Sequence, residues 1–185
     1  MNGPTSAPSQ PPFLRDKGPC LPPVPKSKAG TPSQAALEAA YTATTYRVWL
    51  PQGPLDLRLG HRAPRLAALM GRLGMNAWAV ITPCNPGSRR LTPQANQARL
   101  TALAACLARR GRGAGWGWWP AENRADRGDW PVEPGFLVLF PRGGRRAALA
   151  LGRLFGQNAL VWGPRKGAGK LLWLTAPALD QGHKG

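Results

Sequence analysis

Residues 77–92 read AWAVITPCNPGSRRLT, and the fold turns on this stretch. The apolar run Trp78–Ile81 predicts a strand, and Thr82-Pro83 ends it. A polar loop containing Gly87 follows, and Thr92-Pro93 marks the start of a helix. Strand, loop and helix in that order form an arrangement in which backbone N–H groups at a helix N-terminus can hold an anion.

Working outward, the chain alternates strand and helix signals without regular βαβ spacing. Upstream, Tyr46–Leu50 and Leu55–Leu59 read as strands joined by the turn Pro51-Gln52-Gly53-Pro54. Pro64 opens a helix whose Leu66, Leu69, Met70 and Leu73 share one face, and Gly74 ends it. Downstream, Pro93 to about Arg110 predicts a helix burying Leu100, Leu103 and Leu107. Trp116–Trp119 and Phe136–Phe140 read as strands around an acidic loop. Arg145–Phe155 reads as a helix, and Ala159–Trp162 with Leu171–Leu174 as a closing hairpin. The expected fold is a single α/β (α+β) domain, a mixed sheet with about three helices packed on it plus a short N-terminal helix.

Residues 1–30 hold eight prolines and little that could pack, which predicts a disordered Pro-rich tail. The domain is expected over residues 31–176, opened by a capping box at Thr31-Pro32-Ser33-Gln34, with a second disordered tail over 177–185. No run reaches the roughly 18 apolar residues of a membrane helix, so no membrane partner is expected. Three cysteines without metal-ligand spacing, and no apolar leader after Met1, point to a reducing cytoplasm.

The net charge of +17 lies mostly beyond residue 33. Such a chain associates with polyanions at low salt, which makes a nucleic-acid-associated protein one candidate. Yet the basic residues are mostly Arg, beside 23 Gly and 21 Pro, a mixture that GC-rich coding also yields at solvated positions. The basic runs follow no nucleic-acid-binding motif.

Several stretches suggest chemistry. Cys84, Gly87 and Arg90 match C-x-x-G-x-x-R, the core of the cysteine phosphatase loop, where a low-pKa thiolate attacks phosphorus and Arg clamps the transition state. Pro86 removes a donor from the cradle, Leu91 stands where Ser or Thr is usual, and Pro83 stands where His is usual. Gly-x-Arg-Arg occurs at 87–90 and again at 143–146, each time between a strand and a helix. If the two preceding strands were parallel neighbours, both loops would project from one edge as a two-pronged anion site. GPRKGAGK at 163–170 departs from a phosphate-binding loop at its Gly and Ser/Thr positions and reads as a basic hairpin turn. With only His61 and His183, a multi-His metal site or a His triad is not supported, and no metal or cofactor is expected. Glu122, Asp126, Asp129 and Glu133 form an acidic cluster that could supply a general acid or pair with nearby Arg.

Three blocks together carry a resemblance. They are Asn85-Pro86-Gly87-Ser88-Arg89, then Trp130-Pro131 with Glu133-Pro134 before Phe136–Leu139, then Leu151-Gly152 with Phe155-Gly156-Gln157-Asn158-Ala159. In order and spacing the chain resembles the bacterial domain-of-unknown-function family numbered 3293, over roughly Ala40 to Leu174. The resemblance implies a small single-domain bacterial protein and no particular activity. Cys84 and the pair Arg145-Arg146 stand outside the family's pattern. Attention moves to Asn85, Ser88, Arg89, Glu133, Gln157 and Asn158, polar groups at strand ends and corners, with Arg89 and Glu133 as a candidate tie.

The expected function is a binding domain for an anionic ligand bearing phosphate or carboxylate. The expected ligand-binding residues are Asn85, Gly87, Ser88, Arg89, Arg90, Glu133, Gln157 and Asn158. A nucleic-acid-associated protein and a cysteine phosphatase-like enzyme are the alternatives, and no catalytic residue is assigned.

Overall fold

The computed structural model describes residues 32–174. The expected tails over 1–30 and 177–185, and Thr31 of the capping box, lie outside the described residues. The first helix, α1, spans Gln34–Thr42, and its cap is Ser33, whose side chain accepts from the Ala36 amide at 3.2 Å. The cap thus falls two residues later than the sequence suggested, and Pro32 precedes it.

The strands are β1 (Thr44–Leu50), β2 (Gly53–Leu57), β3 (Ala77–Ile81), β4 (Gly117–Ala125), β5 (Glu133–Phe140), β6 (Ala159–Pro164) and β7 (Lys170–Trp173). They form one seven-stranded sheet in the order β2-β1-β4-β5-β3-β6-β7. The α/β class and the single domain are as expected, but every pairing of these strands is antiparallel. The sheet is therefore not mixed. A lone parallel bridge between Leu59 and Gly169, with the Gly60 amide on Gly169 O at 2.9 Å, draws the two edges of the curled sheet together.

Three further helices are α2 (Pro64–Arg72), α3 (Pro93–Cys106) and α4 (Arg145–Leu154); a 3-10 turn spans Pro86–Ser88 and a π-type turn over Leu107–Gly111 extends α3. β3 is buried at all five positions and feeds both cores. Its Trp78 and Val80 join Leu66, Leu69 and Met70 of α2. Its Ala77, Ala79 and Ile81 join Leu103 and Leu107 of the α3 segment and Ala148, Leu151 and Phe155 of the α4 segment. The period of two along β3 divides these residues between the two faces. Trp119 packs on the first cluster and Trp118 on the second by the same alternation. Leu73, expected on the buried face of α2, is instead 44% exposed, because the helix ends at Arg72.

The expected acidic loop is largely strand. β4 continues through Glu122 to Ala125, and Glu133 opens β5 directly opposite Asn123. Pro120 is accommodated because it lies one residue beyond the last β1–β4 pair, Val48–Ala121. Gly135 is required by close approach, since a Cβ there would meet Ile81 O and lie 2.9 Å from the Thr82 Cα. This contact seats the start of β5 against the end of β3.

Candidate functional site

Antiparallel order decides which residues meet. Ile81 at the end of β3 faces Phe136 near the start of β5, and Val80 faces Val161 near the start of β6. Thr44 at the start of β1 faces Ala125 at the end of β4, and Ala159 faces Trp173 at the end of β7. One mouth of the curled sheet therefore gathers the turn after β3, the start of β5 and the corner before β6. α1 lies across this mouth. The Tyr46 hydroxyl donates to Tyr41 O at 2.9 Å, and the Tyr41 ring meets Trp173 edge to face.

Between α1 and the strand ends is a cavity of about 330 Å³. Of the residues expected to bind ligand, Asn85, Ser88, Glu133, Gln157 and Asn158 line it. Ala36, Leu37, Ala40 and Tyr41 of α1 line the opposite side, and Tyr46, Asn123, Arg127 and Trp130 are among the other wall residues. The sequence reading missed Tyr41, Tyr46, Asn123, Arg127 and Trp130 as site residues.

The turn at 85–88 is held in an uncommon conformation. Asn85, Gly87 and Ser88 have φ of 43°, 62° and 58°, the left-handed region that disfavours side chains other than Asn and Asp. The Asn85 side chain holds it there. Its Oδ1 accepts from the Leu91 amide and from Asn96 Nδ2, both at 2.9 Å, while its Nδ2 donates to Glu133 Oε1 at 2.8 Å. Asn158 Nδ2 donates to Ser88 Oγ at 2.8 Å, and Gln157 Nε2 donates to Cys84 O at 2.9 Å. Backbone strain of this kind concentrates at functional sites, where surrounding bonds maintain it.

The same bonds change the role expected of the loop. The amides of Cys84, Asn85, Gly87, Arg89 and Leu91 donate to Thr82 Oγ1, Asn96 Oδ1, Gly156 O, Pro86 O and Asn85 Oδ1 respectively. Thr92 caps α3 at Ala95 N, and Pro93 at the first helical position has no donor. These donors are engaged within the protein, so they do not form a backbone anion cradle. Gly87 contributes a tie to Gly156. Arg89 and Arg90 are exposed, with Arg90 on Asp129 at 3.0 Å and over the Trp130 ring at 5.2 Å.

Cys84 does not fit phosphatase chemistry. Its side chain is 1% exposed, and burial pushes the thiol up to about 11, so the thiolate nucleophile is disfavoured. The two Gly-x-Arg-Arg loops do not form one site either. β3 and β5 are neighbours but antiparallel, which places residues 87–90 and 143–146 at opposite ends of the sheet.

The acidic residues separate by environment. Asp126 pairs with Arg58 at 2.6 Å, Glu122 with Arg124 at 2.7 Å and Asp129 with Arg90 at 3.0 Å. Glu133 differs. It is 9% exposed, pairs with no Arg or Lys among the described residues, and accepts from Asn85 Nδ2 and from Trp130 Nε1 at 3.0 Å. Desolvation raises its carboxyl above the usual 4.5, and hydrogen bonds from Asn85, Trp130 and Asn123 pull the other way. Tyr41 is pushed up to about 12, chiefly by burial and then by Glu133.

Arg99 supports the site from below and was not anticipated. It is 2% exposed, and its Nε and Nη2 donate to Pro83 O and Phe155 O, each at 2.6 Å. One guanidinium thus ties the turn after β3 to the corner before β6. Its spacing is the signal that could have found it, since Arg99, Leu103, Cys106 and Leu107 fall on one helical face. Leu100, expected in that core, is only partly buried.

Among the described residues, no group of three or more His, Cys, Asp or Glu could hold a metal ion, and no helix is long and apolar enough to cross a membrane.

Fold and site together define a single-domain α/β protein with a largely apolar cavity, carrying a few polar side chains, at the mouth of a curled antiparallel sheet. Residues 81–160 match the model of a family described as "Protein of unknown function (DUF3293)". The resemblance drawn from the three sequence blocks is borne out over that span, which runs from the last residue of β3 into β6 and contains every expected ligand-binding residue. No curated protein and no solved structure matches the chain.

Proposed function

We propose that this protein binds a small organic molecule in the cavity between α1 and the mouth of the sheet. The observation that carries the reading is convergence. Asn85, Ser88, Glu133, Gln157 and Asn158 come from three separate segments, and all line one cavity of about 330 Å³. A cavity of this size, largely apolar with a few oriented polar groups, is typical of small-molecule sites. The hydrogen bonds from Asn85 and Trp130 fix the Glu133 carboxyl before any ligand arrives, which reduces the ordering cost of binding.

Arg127 on the cavity wall accommodates the anionic character expected of the ligand. A carboxylate or phosphate on the ligand would meet that guanidinium and not the amides of Asn85, Gly87 and Arg89, which are engaged within the protein. The test is thermal stabilisation of the full chain by a small-molecule panel, repeated on Tyr41→Ala and Asn158→Leu. Ligands that raise the melting temperature of the wild type should lose most of that shift in both variants. Equal shifts in wild type and variants would reject the cavity as the site.

A further inference from the structure

We infer that the inner end of this cavity takes an organic cation, a primary ammonium or an amidinium carried on an apolar body. The inference rests on the ligand-binding reading above and specifies the ligand's chemistry.

Its basis is a buried, hydrogen-bonded carboxyl with no cation among the described residues, beside a buried amide oxygen with no donor. Glu133 and Asn123 stand directly opposite on β5 and β4, so their side chains leave the same face of the sheet as neighbours. Glu133 is buried without a cation among the described residues, in a chain with 25 basic residues, while Asp56, Asp126, Asp129 and Glu122 each pair with an Arg. Asn123 Oδ1 is buried with no hydrogen-bond partner among the described residues. A buried acceptor left unmatched is costly, and a ligand N–H removes that cost.

The side-chain amide donors around Glu133 are committed within the protein, which leaves Arg127 on the outer wall for an anionic group of the same ligand. The side-chain nitrogens of Asn85, Gln157 and Asn158 point to Glu133, Cys84 O and Ser88 Oγ. Tyr41 and Tyr46 line the cavity beside these groups, and aromatic side chains attract a desolvated cation. An ammonium has three donors and no acceptor, so it matches Glu133 and Asn123 together. The net positive charge of the protein does not prevent this, because exposed charges are screened beyond about 8 Å at physiological salt.

The titratable groups that feel Glu133 are Tyr41 on α1, Tyr46 on β1 and Cys84 in the turn, all held in their neutral forms by burial. Cation binding therefore displaces a proton from Glu133 alone. At a pH where that carboxyl is partly protonated, calorimetry in two buffers of different ionisation heat should show proton release.

The experiment uses the full chain with benzylammonium, benzyl alcohol and benzoate as probes in titration calorimetry. Benzylammonium should bind at least tenfold tighter than benzyl alcohol, and Glu133→Gln should bring the two to equal affinity. That variant keeps the shape of the side chain, and its melting temperature reports whether it folds. The inference is overturned if benzyl alcohol or benzoate binds the wild type as tightly as benzylammonium, or if Glu133→Gln retains the preference. Binding of the alcohol or benzoate that Tyr41→Ala abolishes would leave the cavity reading standing while the cation falls. Failure of all three probes to bind, or binding indifferent to Tyr41→Ala, would remove both.

Discussion

The two Gly-x-Arg-Arg segments, 87–90 and 143–146, are alike in sequence and in local setting, yet they do different things. At the second, Gly144 is buried against Phe140, where a Cβ would collide with the ring, and Arg145 and Arg146 begin α4 exposed to solvent. At the first, Gly87 and Ser88 take left-handed backbone, Asn85 bonds two segments, and the turn forms the wall of a cavity. The difference lies in neighbours. The antiparallel sheet brings the starts of β5 and β6 to the first segment and sends the second to the opposite end. A short motif carries little function until the topology decides what stands beside it.

That contrast can be broken most severely at Arg99. Arg99→Met should destabilise the protein by about 3 kcal/mol, because two buried carbonyls each lose a charge-assisted partner. Urea unfolding would measure it, and ligand stabilisation should fall as the 83 and 155 segments come apart. A change under about 1 kcal/mol would mean that the guanidinium is not the tie.

Asn85→Ala comes next, at about 2 kcal/mol, combining lost hydrogen bonds with an Ala side chain at φ of 43°. Asn85→Gly separates the two contributions, since it loses the bonds but tolerates the backbone, and it should be less damaging by about 1 kcal/mol. In both variants the Glu133 carboxyl should titrate higher by NMR, because a hydrogen bond that lowers it is gone.

The pH dependence of stability distinguishes Glu133 from the paired acids. Its folded value lies above the usual 4.5, so the folded state keeps that proton to higher pH than the unfolded chain does. The contribution of the neutral acid is fully present below 4.5 and is lost as pH rises through the folded value. Glu133→Gln should flatten that fall and raise stability at neutral pH, measured as melting temperature against pH. Asp126 and Asp129, whose carboxyls are lowered first by hydrogen bonds from Arg58 and Arg90, act with the opposite sign. A variant whose stability still falls over that window would remove Glu133 as the cause.

The smallest effect belongs to the second segment. Arg145→Ala combined with Arg146→Ala should change stability by no more than about 0.5 kcal/mol and leave ligand stabilisation intact. Loss of binding in that double variant would overturn the distinction between the two ends.

Much of the fold was legible because it is local. The period of 3.6 in α2, the apolar run of β3 and the turn signal at Pro51–Pro54 each act within one segment. Reading failed where a residue type usually means something else. Arg99 lies on the buried face of α3, but Arg reads as solvent-facing unless a partner is known, and its partners are carbonyls 16 and 56 residues away. The second half of β4 read as a loop because Pro120 and charged side chains resemble a break, while the partners that make it a strand lie on β1 and β5.

The sequence by itself determined the α/β character, the positions of most elements, and the polar residues around the end of β3. Only the tertiary structure decided that the sheet is antiparallel, that the Cys84 thiol is buried and its pKa raised, and that Glu133 sits beside Asn123 beneath α1. The physical reason is range. Propensity and periodicity act over a few residues, whereas a cavity, a buried carboxyl held by hydrogen bonds and a buried amide oxygen beside it are properties of segments that meet only when the whole sheet has closed.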